Sequence, residues 1–162
     1  MSYDLHAFPV PAGMSAAEYV ESDAYEALDD AAPTPEEREV MERAAAALHA
    51  VDPSAEQFED ADFIELVTHD AIQVNVYARS AAINVPYWYE GAEADAVMER
   101  VFAYARVISE TLGYAVWDPQ TGAVVEPGAG GHADAAEIMG DITGRMGEIV
   151  QPQRRPWWKI WG

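Results

Sequence analysis

The residues with chemistry to offer lie far apart. The four histidines, His6, His49, His69 and His132, fall in four separate segments. They form no HExxH and no i, i+4 pair that would put two imidazoles on one helix face for zinc. The chain has no cysteine, which excludes disulfides, thiolate nucleophiles, iron–sulfur clusters and cysteine-ligated zinc. No GxxxxGK[ST] loop and no GxSxG elbow occur. The run Gly128-Ala129-Gly130-Gly131 lacks the long preceding strand of a dinucleotide fingerprint and reads as a link. Acid pairs such as Asp60 with Asp62, or Asp29 with Asp30, have the chemistry of general acids and bases. With 29 acids in the chain, such pairs arise by chance. No catalytic residue, metal ligand or cofactor is nominated.

Two aromatic groups are better candidates for binding. Tyr87-Trp88-Tyr89 follows Pro86, and Trp117 precedes Asp118; a pocket near these residues between sheet and helices would suit a small molecule, while ordinary packing is the competing account. The last twelve residues, QPQRRPWWKIWG, hold Arg154, Arg155, Trp157, Trp158, Lys159 and Trp161 and no acid. Three tryptophans are costly to leave in water. Either this tail folds back on its own acidic domain, or it docks on a partner or on a second copy of the chain. Partner-binding candidates are therefore Arg154, Arg155, Trp157, Trp158 and Trp161, together with Tyr87, Trp88 and Tyr89.

Charge narrows the partners. The chain has 29 acidic against 9 basic residues and a net charge of -20. Three of those bases are in the tail, so residues 1–150 form an acidic domain and 151–162 a basic, tryptophan-rich appendage. Such a body repels phosphate backbones and anionic lipid, which argues against nucleic acid and membrane as partners. Solvation of a soluble surface, a basic protein partner and carboxylate chelation of metal are the competing explanations. Neither a signal-like leader nor a run of about 18 apolar residues is visible, so a cytoplasmic protein is expected.

Local patterns place the elements. Tyr3 to Phe8 alternates as a strand; Ser15-Ala16-Ala17-Glu18 is a capping box opening a helix through about Leu28. Thr34-Pro35-Glu36-Glu37 opens a second helix to Ala50, and Ser54-Ala55-Glu56-Gln57 could cap one further turn. Phe63–Val67, Ile72–Tyr77 and Ile83–Val85 read as strands, the last two sharing one apolar face and one amide face made of Gln73, Asn75 and Asn84. Ala92–Leu112 is a long helix with Gly113 at its left-handed cap, and Tyr114–Trp117 a strand closed by the turn Asp118-Pro119-Gln120-Thr121-Gly122. Ala123–Val125 makes a short return strand and Ala133–Val150 a final helix weakened by three glycines.

The order predicts an α+β fold: an antiparallel or mixed sheet of four to five strands with helices on one face. Its core would be a ferredoxin-like βαββαβ unit with an extra N-terminal helix and a C-terminal helix. The Tyr3 and Tyr114 strands are expected side by side and parallel at the centre, with Asp4 and Asp118 at different ends.

Met1-Ser2-Tyr3-Asp4-Leu5 with Phe8, and Gly113-Tyr114 followed by Trp117-Asp118-Pro119-Gln120 after a long helix, carry a resemblance. They are similar to a group of small bacterial proteins with an MSYDL-type strand and a late YDPQ-type turn, some of them presumed immunity proteins. The resemblance implies a non-enzymatic, acidic interaction protein that neutralises a basic partner. A small-molecule-binding or enzymatic α+β domain is the alternative.

Overall fold

A computed structural model describes residues 2–126 and 132–150. Its elements are β1 (Ser2–Phe8), α1 (Ala16–Val20), α2 (Asp23–Glu26), α3 (Pro35–Val51), β2 (Glu56–Glu59), β3 (Phe63–Val67) and β4 (Gln73–Tyr77). The chain continues through β5 (Ala81–Pro86), α4 (Gly91–Leu112), β6 (Ala115–Asp118), β7 (Ala123–Val125) and α5 (His132–Val150). The strands form one sheet in the order β2-β3-β4-β5-β1-β6-β7, and every neighbouring pair is antiparallel.

The α+β class and the antiparallel sheet are as expected, but the sheet has seven strands rather than four to five. β2 and β7 extend it at its two edges, and β2 is a strand where none was expected. Where a helical turn was expected, the Asp52 carboxylate accepts from the backbone and hydroxyl of Ser54 and turns the chain. Residues Glu56–Glu59 then pair with β3. Arg38 of α3 holds this edge, donating to Glu59 at 2.7 Å and to the Asp60 carbonyl at 2.7 Å.

The second correction concerns β1 and β6, which are neighbours but antiparallel, with Ala7 opposite Val116. The reason is the crossover: α4 returns the chain so that β6 runs parallel to β5, and β1, inserted between them, opposes both. Asp4 and Asp118 consequently come to the same end of the sheet. The two pair into neighbouring positions because His6 lies opposite Trp117.

Strand alternation decides which face each helix covers. Tyr3, Leu5 and Ala7 of β1 point to one side with Val74, Val76, Ile83 and Val85, where α3 and α4 cover them with Met41, Leu48, Val101 and Ile108. α5 packs along α4, so α4 is buried over a wide stripe. Helices do not lie on one face only. Phe8 points to the opposite side and is buried there by Tyr19 of α1 and Tyr25 of α2, at ring separations of 5.6 and 5.0 Å. The single helix expected through Leu28 is two: the Ser22 hydroxyl donates to the Tyr19 carbonyl and accepts from the Tyr25 amide, ending one helix and capping the next. That break lets both tyrosines reach Phe8.

Arg79, in the β4–β5 turn, straps this cover to the rest. Its guanidinium forms an ion pair with Glu37 at 2.9 Å and donates to the carbonyls of Leu28 and Ala31. The β3–β4 turn has a different constraint. Ala71 lies at φ 57°, held there because its amide donates to the Thr68 carbonyl and the Thr68 hydroxyl accepts from Ile72. A Cβ in the left-handed region is strained. Ala71→Gly should therefore raise stability by about 0.5–1 kcal/mol, the strain relief exceeding the added entropy of the unfolded chain. Thermal unfolding checks this, and a lowered midpoint would show that the turn tolerates alanine without strain.

Candidate functional site

The face of the sheet turned away from α3 and α4 is only partly covered. A row of facing residues crosses all seven strands there: Phe58, Glu65, Asn75, Ala82, His6, Trp117 and Val124. A second row holds Val67, Gln73, Asn84 and Asp4. α1 and α2 cover the Phe8 and Trp117 end; the part over β3, β4 and β5 presents amides, a carboxylate and aromatic rings to solvent. Amides at alternate positions along a strand can hydrogen-bond to solvent or to a bound backbone equally well.

Two clefts open on this face. The larger, about 420 Å³, lies between α2 with its following segment and the sheet, walled by His6, Tyr25, Leu28, Tyr77 and Ala82 and rimmed by Glu26, Asp29 and Asp30. His6 Nδ1 and the Tyr25 hydroxyl are 3.0 Å apart. Burial pulls the His6 pKa down, with the Asp4 charge opposing it, while burial and then the Asp29 charge raise the pKa values of Tyr25 and Tyr77. Asp29 itself is held in place: it accepts from the Ser80 hydroxyl and from the Arg79 amide. The second cleft, about 310 Å³, lies at the other end and includes Ser2, Gln73, Asn84 and Trp88. Beside it Asp4 accepts from Ser2 at 2.7 Å and Asn84 at 2.6 Å.

The aromatic triplet does not gather into one pocket. Tyr87 is buried in the main core, Trp88 is 70% exposed, and Tyr89 packs against the core while donating to the Asp70 carbonyl. Trp117 lies on the opposite side of the sheet from Tyr87, and only Trp88 borders the open face. The tail candidates Arg154, Arg155, Trp157, Trp158 and Trp161 lie outside the described residues. The sequence reading missed Tyr25, Tyr77 and Glu26 as site residues. Its one available signal was the amide alternation on β4 and β5.

Asp118 has a structural task. It is 3% exposed, accepts from the Tyr3 hydroxyl at 2.7 Å, and accepts from the Gln120 amide nitrogen of the backbone at 2.8 Å. With its side-chain nitrogen turned inward, Gln120 also donates to Asp118 at 2.6 Å and to the Asp4 carbonyl at 2.9 Å. Among the described residues no group of three or more His, Cys, Asp or Glu is placed to hold a metal ion, and no helix is long and apolar enough to cross a membrane. His69 reaches Asp70 at 3.0 Å, but its ring is 90% exposed, and Asp70 is already paired with Arg100.

No family model, no curated protein and no solved structure matches the chain significantly.

Burial, reinforced by the Asp118 carboxylate, raises the Tyr3 pKa far above its ordinary value near 10. Since the folded value exceeds the unfolded one, this group's contribution to stability is complete below about pH 10 and is lost as pH climbs toward the raised value. Alkaline titration of tyrosinate absorbance should leave Tyr3 protonated until the protein unfolds. Tyr3→Phe should lower stability by about 1–2 kcal/mol, because a buried acceptor loses its donor. An unchanged thermal midpoint would show that the backbone amides alone satisfy Asp118.

Proposed function

We propose that this chain is a non-enzymatic protein-interaction module, immunity-like in working by charge, that binds a basic partner protein on the uncovered sheet face. The observation that carries the reading is the acid-rimmed cleft between α2 and the sheet. A Lys or Arg side chain entering it would meet the rings of Tyr25 and Tyr77 and approach the carboxylates of Glu26 and Asp30. Cations over aromatic faces, with acids at the rim, are favourable and geometrically selective. The excess of 29 acids over 9 bases supports the same reading, since opposite fields speed encounter and disfavour anionic competitors. The amide rows on β4 and β5 would then meet the partner's polar groups, and the exposed Trp88 would border the contact.

We further read the central strands β4-β5-β1-β6 with α3 and α4 as a ferredoxin-like βαββαβ unit. Their order and uniformly antiparallel pairing support this, with β2, β3 and β7 as edge additions.

The test is affinity capture with the purified chain at low and at high salt, set beside Glu26→Lys/Asp30→Lys. The expected result is a cationic protein retained at low salt and released at high salt, with affinity reduced about tenfold or more by the double variant. Recovery of general chaperones alone, or binding indifferent to both salt and the variant, would sink the reading.

A further inference from the structure

A separate groove lies on the covered side of the sheet, between the start of α5 and the β6–β7 hairpin, with a volume of about 220 Å³. Phe102, Val125 and Ile138 give it an apolar wall, Asp118 and Thr121 a polar one, and Glu126 and Asp134 stand at it. From this groove an acidic line continues along α5. Asp134, Glu137 and Asp141 are all exposed and spaced i, i+3, i+7, which puts them on one helix face. α5 ends at Val150, and residues 151–162, which carry three of the nine bases and three of the five tryptophans, follow it.

The geometry points to this groove and acidic line as the docking site of the chain's own C-terminal segment, folded back antiparallel along α5. Length and charge argue for it independently of the partner-binding face. A helix rises about 1.5 Å per residue and an extended chain advances about 3.3 Å. Measured back from Val150, Asp141 lies about 14 Å along the helix and Asp134 about 24 Å. Measured forward, extended chain places Arg154 and Arg155 at about 13–17 Å and Trp157 and Trp158 at about 23–26 Å. A reversal of three or four residues at the helix end still leaves about 26–30 Å of extended chain, enough to carry the basic and tryptophan side chains along the acidic line and as far as the groove. Pro152 and Pro156 favour the extended conformation that this reach needs. Burial of the indole rings and attraction between the tail's bases and the acidic line supply the affinity. The strap would also cover the β7 edge, where Val124 is 46% exposed.

Two measurements on the full chain test this. In a Trp88→Phe/Trp117→Phe background only the tail tryptophans emit. Their emission should be blue-shifted and protected from acrylamide, and Asp134→Lys/Glu137→Lys/Asp141→Lys should abolish both effects. Because the natural chain has no cysteine, disulfide trapping is clean. Asp134→Cys with Trp158→Cys should oxidise within one monomer much faster than Glu65→Cys with Trp158→Cys, whose first partner faces the other side of the sheet. Solvent-exposed tail emission in the parent background, equal trapping rates for the two pairs, or trapping that yields only covalent dimers would overturn the intramolecular strap, the last in favour of exchange between copies.

Discussion

The fold depends on β1 having two neighbours, one buried face, and a second face buried only at Phe8. The strand pairs with β5 along most of its length and with β6 at its C-terminal end, so among the described residues it joins the β2–β5 meander to the β6–β7 hairpin within the sheet. Backbone pairing to β6 covers only three residues, and side chains reinforce it. Tyr3 donates to Asp118 from the core side, and Gln120 reaches the Asp4 carbonyl from the turn. A buried carboxylate is tolerable only when its lone pairs are occupied. The DPQTG turn supplies those donors locally, and Tyr3 supplies one from the far end of the chain. The turn and the first strand thus satisfy each other.

The opposite face of the same strand explains why α1 and α2 exist. Phe8 breaks the alternation of β1 by being buried on the side that otherwise faces water, and Tyr19 and Tyr25 meet it in an aromatic cluster. That small second core covers one end of the sheet and leaves the rest open. The cleft beside Tyr25 and Tyr77 is the boundary between the covered and the uncovered part. Its acids are a consequence of composition as well as of position. A chain with so few bases has few cations to pair with, and Arg79 is drawn to Glu37 and to the carbonyls that end the α2 segment. Acids near that strap, such as Asp29, are fixed by hydrogen bonds, while Glu26 and Asp30 remain at the surface.

Where the governing interactions are local, the elements were legible. Both capping boxes are formed, by Ser15 with Glu18 and by Thr34 with Glu37, and Gly113 ends α4 in the left-handed conformation. The Phe63–Val67 strand has the expected bounds, and Gln73, Asn75 and Asn84 share a face. Residues Glu56–Glu59 were not legible as a strand, because all four are exposed and their pairing partner is β3 rather than any feature of their own pattern. The break at Ser22 is local, a serine cap, but the capping box at Ser15 and the apolar spacing through Leu28 outweigh it in the sequence. Of the candidate site, the amide face could be read, but the cleft could not. Its walls come from β1, α2, β4 and the β4–β5 turn, and no local periodicity links them.

By itself, then, the sequence determined the α+β class, the positions of most helices and strands, the absence of thiol chemistry and the strongly acidic field. Caps, turns, two-residue alternation and charge act over a few residues or over the whole chain at once, and both scales can be read without coordinates. Only the tertiary structure decided the sense in which β1 and β6 pair, the use of both sheet faces by helices, and the placing of Tyr25 and Tyr77 on one cleft. Those outcomes follow from crossover direction and from which buried surface must be covered. They are set by contacts between residues distant in the chain, whose energies no single segment carries.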